Sequence, residues 1–405
     1  MQPANEVSAS YDIVCFSHLR WHFVFQRPQH LLSRCARSRR VFFIEEPIVE
    51  DAFIEDAGEA RAHAWLDVSL DPATNVNVVV PHLRRGLSED EQERVQSQLL
   101  VQLAEEQQIS SHVQWFYTPM ALPIARALEP RARVYDCMDE LSAFKGAPKQ
   151  LIQREAELFE LADVVFTGGQ ALFEAKRQLH RNIHAFPSSV DAKHFGRARG
   201  GLEEPADQRS IPGPRLGFFG VIDERMDLSL LEGVARAKPE WQLVLIGPVV
   251  KIDPADLPRL PNIHYLGAKS YAELPSYLTG WDVALLPFAK NEATRFISPT
   301  KTPEYLAAGK PVVSTSIRDV VRPYSVQGLA RIADTPRDFV AACEAALSEP
   351  RDRLLRRADQ FLSRMSWDTT WSQMQELVDQ AAQPPSARIS GTQRALAADD
   401  EREVG

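Results

Sequence analysis

The chain has 405 residues, 44% of them hydrophobic, and carries a formal net charge of −9 with a pI near 5.7. Beyond about 250–300 residues a single core stops growing, so at least two domains are expected. The acidic balance argues against wholesale binding to nucleic acid or anionic lipid, and no run of about 18 apolar residues marks a membrane-spanning helix.

Residues 1–10 show neither a basic start nor an apolar stretch, so they read as a flexible N-terminus and not as a secretion signal. Cys15, Cys35, Cys137 and Cys343 are scattered and form no CxxC pair, which fits a reducing, cytoplasmic setting without structural zinc. From Tyr11 onward, apolar β-branched runs alternate with helical patterns. "YDIVCF" predicts a strand and "RPQHLLSRCARS" the helix after it; "RVFFIEEP" and "NVNVVVPHL" predict two more strands. A charged helix is expected over 89–106, then "VQWFYTP", a helix, and "ARVYDCMDE". Helices near 149–161 and 170–180 bracket "ADVVFTGG", and "NIHAFPSSVD" closes the half. This alternation predicts an α/β domain over 11–190 with a parallel sheet between helices.

The pattern fails over 191–213, where "GRARGGLEEPADQRSIPGP" is rich in Gly, Pro and charge and reads as a linker. Alternation resumes with "RLGFFG", "WQLVLIGP", "NIHYLG", "WDVALLPF" and "GKPVVST", which predict a second α/β domain over 214–365. Residues 384–405 lack periodicity and read as a disordered tail. Two doubly wound domains flank a deep cleft, and such sheets bind ligands at the carboxyl ends of their strands.

Two loops in the second domain suit an anion. In "ISPTKTPEYLAAGKPVV" (297–313), Pro299 and Pro303 confine a helix start, and Ser298, Thr300, Lys301 and Thr302 surround it with hydroxyls and an ammonium. Glu304 has the acceptor-only carboxylate that grips two ribose hydroxyls. A plain capped helix with a solvated lysine has the same spacing. "RLGFFGVIDERMDLSLL" adds Gly220, where backbone can approach a phosphate, and Arg225, which can fork onto its oxygens.

The first block resembles the signature "P-x-K-x-x-E-Y-x-A-x-G-x-P-V-V" of GT-B glycosyltransferases, and "ADVVFTGGQALFEAK", "SSVDAKHF", "NIHYLGAKSYAELPSYLTGWDVALLPF" and "MSWDTTWSQM" are similar to further blocks in the same order. The resemblance covers about residues 11–383. It implies two Rossmann-like domains, with a helix over 366–383 crossing back to the first. It implies a nucleotide-sugar donor, UDP- or GDP-linked, and a glycan or lipid-linked acceptor of cell-surface polysaccharide synthesis. Lys301, with Gly220 and Arg225, would meet the diphosphate, Glu304 the ribose, and Gly267, Ala268 and Lys269 the base. Tyr271 reads as packing ahead of the next helix. Retaining members often carry a glutamate eight positions before the ribose glutamate; here Phe296 stands there, with Glu292 out of register. Inverting bacterial glucuronosyltransferases are similar in this respect, so retention and inversion both stay open.

In the first domain, "FSHLRWHFVFQRPQHLLSR" places Arg20, Trp21, Gln26 and Arg27 as acceptor contacts, with ordinary packing as the alternative. Inversion needs a base for the acceptor hydroxyl. Asp139, just past a strand, matches the base aspartate of the inverting enzymes, and His18 is the other candidate; Asp136, inside the strand, reads as a structural partner. Arg34, Arg37, Arg39 and Arg40 form either a solvated face or a peripheral contact with the inner face of a membrane. No Asp-x-Asp flanks the phosphate loops, so no metal and no other cofactor is expected. An epimerase of the same fold and a non-catalytic nucleotide-sugar binder remain as alternatives, and oligomeric state is open.

Overall fold

The computed structural model describes residues 11–50 and 64–383; the expectations for 1–10 and 384–405 lie outside these. Among the described residues, β1 (Asp12–Phe16), β2 (Val41–Ile44), β3 (Ile48–Glu50), β4 (Ala64–Asp71), β5 (Val76–Arg84), β6 (His112–Phe116), β7 (Ala132–Cys137), β8 (Val164–Thr167) and β9 (Ile183–Ala185) build the first sheet. Its order is β3-β5-β2-β1-β6-β7-β8-β9, parallel throughout, with β4 paired antiparallel to β5. The second sheet contains β10 (Arg215–Phe219), β11 (Gln242–Ile246), β12 (Ile263–Tyr265), β13 (Val283–Leu286), β14 (Val312–Ser314) and β15 (Ala330–Ile332). Its order is β12-β11-β10-β13-β14-β15, all parallel. Both sheets are doubly wound, as the continuous apolar runs imply: β1, β6, β10 and β13 are buried on both faces.

The strand–helix reading holds for the long elements; the helix Glu89–Glu106 runs over the expected residues, with a Ser88–Glu91 capping box at its start. Three strands escaped it. β3 and β15 have three residues each, too few for a period, and β4 is half exposed at the sheet edge. Residues 191–213 are also more than a linker. They contain the helices Ala192–Gly196 and Ala206–Arg209, and Phe195, Ala198 and Ile211 enter the core of the second sheet. Gln208 is buried there, donating to the Tyr277 carbonyl and accepting from the Trp281 indole. Single anchors at irregular intervals leave no periodic trace.

The helix Trp367–Ala381 returns to the first lobe, where Trp367, Trp371, Met374 and Val378 join Trp115 in one apolar cluster. Arg34, Arg37, Arg39 and Arg40, read as a solvated face or a peripheral membrane contact, all pair with carboxylates, three of them on this returning helix. Arg34 and Arg37 both bind Asp368, Arg39 binds Asp379, and Arg40 binds Asp12. A carboxylate within 3.1 Å offsets each charge. Among the described residues no helix is long and apolar enough to cross a membrane.

Candidate active site

The carboxyl ends of β1 and β7 face those of β10, β11 and β13 across a cleft between the sheets. On the second-lobe side three glycines make a backbone ledge. Gly220 follows β10 with φ +138°, Gly247 follows β11 with φ +146°, and Gly267 follows β12 with φ +71°. The Gly220 amide donates to Ile246 O at 2.8 Å, and that of Gly247 to Gly267 O at 2.9 Å. A Cβ on Gly247 would lie 1.8 Å from the Gly220 carbonyl oxygen. Only glycine permits both the backbone angles and this approach.

Lys301 lies over that ledge, so close that a Cβ on Gly220 would stand 2.2 Å from its Cε. It opens the helix Lys301–Ala307, which the Tyr305 hydroxyl ties to β10 by accepting the Phe219 amide at 3.1 Å. Burial pushes the Lys301 ammonium down, with Arg225 adding to the effect and Glu304, Asp223 and Asp139 opposing it. Burial pushes the Glu304 carboxyl up to about 8 against the pull of Lys301. Arg225 binds Asp223 through Nε (2.9 and 3.1 Å) and Nη2 (2.7 Å), a pair that does not use Nη1. Opposite them, in the first lobe, Asp139 is raised to about 6 by burial and lowered in part by Arg225, Lys301 and Arg27.

These groups meet in a narrow cavity of about 90 Å³ lined by Asp139, Arg225, Ser298, Thr300 and Lys301. It joins two larger chambers; Gln26, Val221 and Arg225 line all three. The chamber of about 580 Å³ runs along Gly220, Gly247, residues 268–272 and Glu304. The other, about 490 Å³, contains His18, Asp139, Phe144 and Lys251. A deep site with two compartments meeting at a carboxylate and two cations suits transfer between two bound molecules.

The sequence profile described as glycosyl transferases group 1 matches residues 213–349, the stretch that carries the ledge, Arg225, Lys301 and Glu304. TuaH of Bacillus subtilis (strain 168), described as a candidate teichuronic acid biosynthesis glycosyltransferase, is 26% identical over 287 residues, 64% of this chain and 70% of its own. Among solved structures, the E. coli trehalose-6-phosphate protein bound with UDP-2-fluoro glucose is similar with a TM-score of 0.64 at 12% identity, covering 92% of this chain and 99% of that one. Anabaena HepE in complex with UDP and glucose has a TM-score of 0.62 at 13% identity, covering 91% and 99%. Residues 213–349 thus carry a group 1 glycosyl transferase domain, and the chain as a whole shares the two-domain fold of GT-B glycosyltransferases.

The glycosyltransferase brings together Gly220, Arg225, Ser298, Thr300, Lys301 and Glu304, and sets Ala268 in the wall of the larger chamber. Other expected contacts have partners of their own or sit apart from the cleft. Thr302 is 0% exposed and turned inward with its hydroxyl unbonded, because the first helical turn rotates it off the cleft. The Lys269 ammonium is held by Asp207 at 2.6 Å, and Gly267 shapes the turn without lining the chamber. Arg27 is buried at the edge of the narrow cavity: Nε and Nη2 grip Asp136 and Nη1 donates to the Phe186 carbonyl, which holds its guanidinium within the first lobe. Trp21 is 3% exposed, edge-on to Phe43 with its indole N–H on Asp71, so it is largely packed while bordering the larger chamber. Arg20 pairs with Glu45 and lies outside all three cavities. His18 lines the smaller chamber, its Nδ1 unbonded, and burial lowers it to about 4, leaving a neutral ring.

Phe296 packs against the apolar cluster of the first lobe, and Glu292 is exposed beside Arg295. No carboxylate therefore stands where many retaining relatives carry one. Two neighbours of these groups escaped the sequence reading, and a third, Tyr271, was read only as packing. Asp223, two residues before Arg225, orients it. Phe144 reaches across the cleft between Arg225 (5.4 Å) and Lys251 (5.3 Å). Tyr271 walls the larger chamber, stacked between Phe25 (4.6 Å) and His194 (4.2 Å).

Proposed function

We propose that this glycosyltransferase moves a sugar from a UDP- or GDP-linked donor to a glycan or lipid-linked acceptor by direct, metal-independent displacement with inversion, in the cytoplasm or at the inner face of the membrane. The observation that carries this is Asp139 facing Lys301 and Arg225 across the narrow junction of the two chambers. The donor lies in the larger chamber, its diphosphate on the glycine ledge and its ribose on Glu304. The acceptor enters from the smaller one.

An acceptor oxygen forms the new bond to the anomeric carbon while the bond to the β-phosphate oxygen breaks. The hydroxyl proton passes to the Asp139 carboxylate, and the electron pair leaves on the diphosphate. Lys301, Nη1 of Arg225 and the helix start at Thr300 oppose the charge that develops there. Phe296, turned into the first core, supports inversion, since it leaves that position without a nucleophilic carboxylate. The name of TuaH supports an acceptor in cell-surface polysaccharide synthesis.

A thermal-shift panel of UDP, GDP and their sugars tests the donor: one base should raise the melting temperature, and Lys301→Ala should lower transfer by on the order of a hundredfold. Unchanged turnover in Lys301→Ala, or isomerised donor without acceptor, would overturn the assignment.

A further inference from the structure

The two lobes touch at one place that leads straight to Asp139. Asp319, in the second-lobe helix Arg318–Val321, is buried and reaches the first-lobe helix Gln170–Lys176. Its Oδ2 accepts the Gln170 amide and its Oδ1 the Ala171 amide, both at 2.9 Å. Arg318 pairs with Glu174 of the same helix. The helix lacks a side-chain cap of its own, because Gly169 occupies the N-cap position; the second lobe supplies the cap.

The loop before this helix is a spacer one backbone thick. A Cβ on Gly169 would lie 2.3 Å from Asp319 Oδ2 and 2.6 Å from Ser298 Cβ. A Cβ on Gly168 would lie 2.4 Å from the Met138 carbonyl oxygen, and the Gly168 amide donates to Cys137 O at 2.9 Å. Met138 adjoins Asp139. At the other end of the helix, Lys176 binds Glu155 at 2.8 Å and Glu140, the residue after Asp139, at 2.9 Å. One short helix and its leading glycines thus hold the Asp139 loop from both sides, and Asp319 holds the helix.

We propose that Asp319 is a positioning residue for transfer: by capping the helix of the opposite lobe it sets the Asp139 loop against Lys301 and Arg225 when the lobes are together. This rests on Asp139 as the base, and on nothing else in the functional reading.

The test compares the full-length chain with Asp319→Ala and with Gly169→Ala, which adds a methyl wedge at the same contact while keeping the carboxylate. Amide hydrogen exchange over 170–176 and 138–143 is read alongside UDP affinity by calorimetry, and alongside kcat and KM with whichever donor the nucleotide screen selects. In both variants exchange should rise about tenfold in the two segments together, the scale of losing a charged cap. In both, kcat should fall by a similar factor; UDP affinity and donor KM should stay within about twofold in Asp319→Ala, while Gly169→Ala, whose methyl also meets Ser298, is read for exchange and kcat alone. Faster exchange confined to 170–176 with kcat unchanged would reduce Asp319 to a local cap and overturn the proposal. Faster exchange throughout both lobes, with affinity and kcat falling together, would overturn it in favour of general stability. A wild-type chain that fails to bind UDP counts against that donor base and leaves the exchange comparison intact.

Discussion

Asp139 is the residue whose chemistry the surroundings alter most usefully. Burial raises its carboxyl to about 6, while Arg225, Lys301 and Arg27 keep it from rising further. A general base must be ionised, so kcat/KM should climb as pH passes about 6 and level off above it. Asp139→Asn should lose about 10²–10⁴-fold in transfer and the pH-dependent limb with it. The stability sign is opposite. A folded pKa above the unfolded one gives stability that is present at low pH and lost as pH rises through about 6. Asp139→Asn should therefore melt higher than wild type at pH 8, where the buried carboxylate is charged, and show no such gain at pH 4. A flat pH–rate profile between 5 and 8 would remove Asp139 from the base role. Its place past a strand end was legible in the sequence. The inward turns of Arg27 and Thr302 were not, because residues one or two apart on a first helical turn point in different directions and only packing says which is outside.

At the scale of elements, the proposed donor side is a ledge of strand ends with one helix laid over it. Gly220 adopts φ +138° and sits against the Lys301 side chain. Gly220→Ala forces an unfavourable backbone conformation, costing of order 1–3 kcal/mol, and drives Lys301 from its place. Nucleotide affinity measured by calorimetry should fall at least about tenfold, the factor that 1.4 kcal/mol implies. Affinity within twofold of wild type would show that Lys301 can move without consequence. The ledge was half legible: a strand ending in glycine before a polar turn marks Gly220. The contact of Gly247 with the Gly220 carbonyl joins the ends of β10 and β11, and pairing across the sheet alone brings them together.

At the scale of the molecule, the first and last described residues, 11 and 383, lie in the same lobe. The helix Trp367–Ala381 buries Trp371 beside Trp115, ring centroids 6.1 Å apart, and its Asp368 and Asp379 gather Arg34, Arg37 and Arg39. The exposed pairs contribute little, since surface ion pairs are worth about 0–1 kcal/mol. The apolar contact dominates: Trp371→Ala should lower unfolding free energy by about 3–5 kcal/mol in urea titration. A change under about 1 kcal/mol would mean the returning helix is not part of the first core. That helix ties the lobes covalently and by packing on one side of the cleft, and Asp319 joins them on another.

The amino-acid sequence by itself determined the class of fold, the loops carrying Gly220 and Lys301, and the place of Asp139. These depend on local signals: buried apolar runs, glycine at strand ends, and a proline-confined helix start carrying Lys301 and Glu304. Tertiary structure alone decided which polar residues face the cleft. It turned Arg34, Arg37 and Arg39 onto a returning helix, buried Arg27 against Asp136, folded 191–213 into the second core, and set Asp319 against the opposite lobe. The physical reason is range. A periodic pattern reports which residues are buried, but the partner of a buried or cleft-facing charge is chosen by elements far away in the chain.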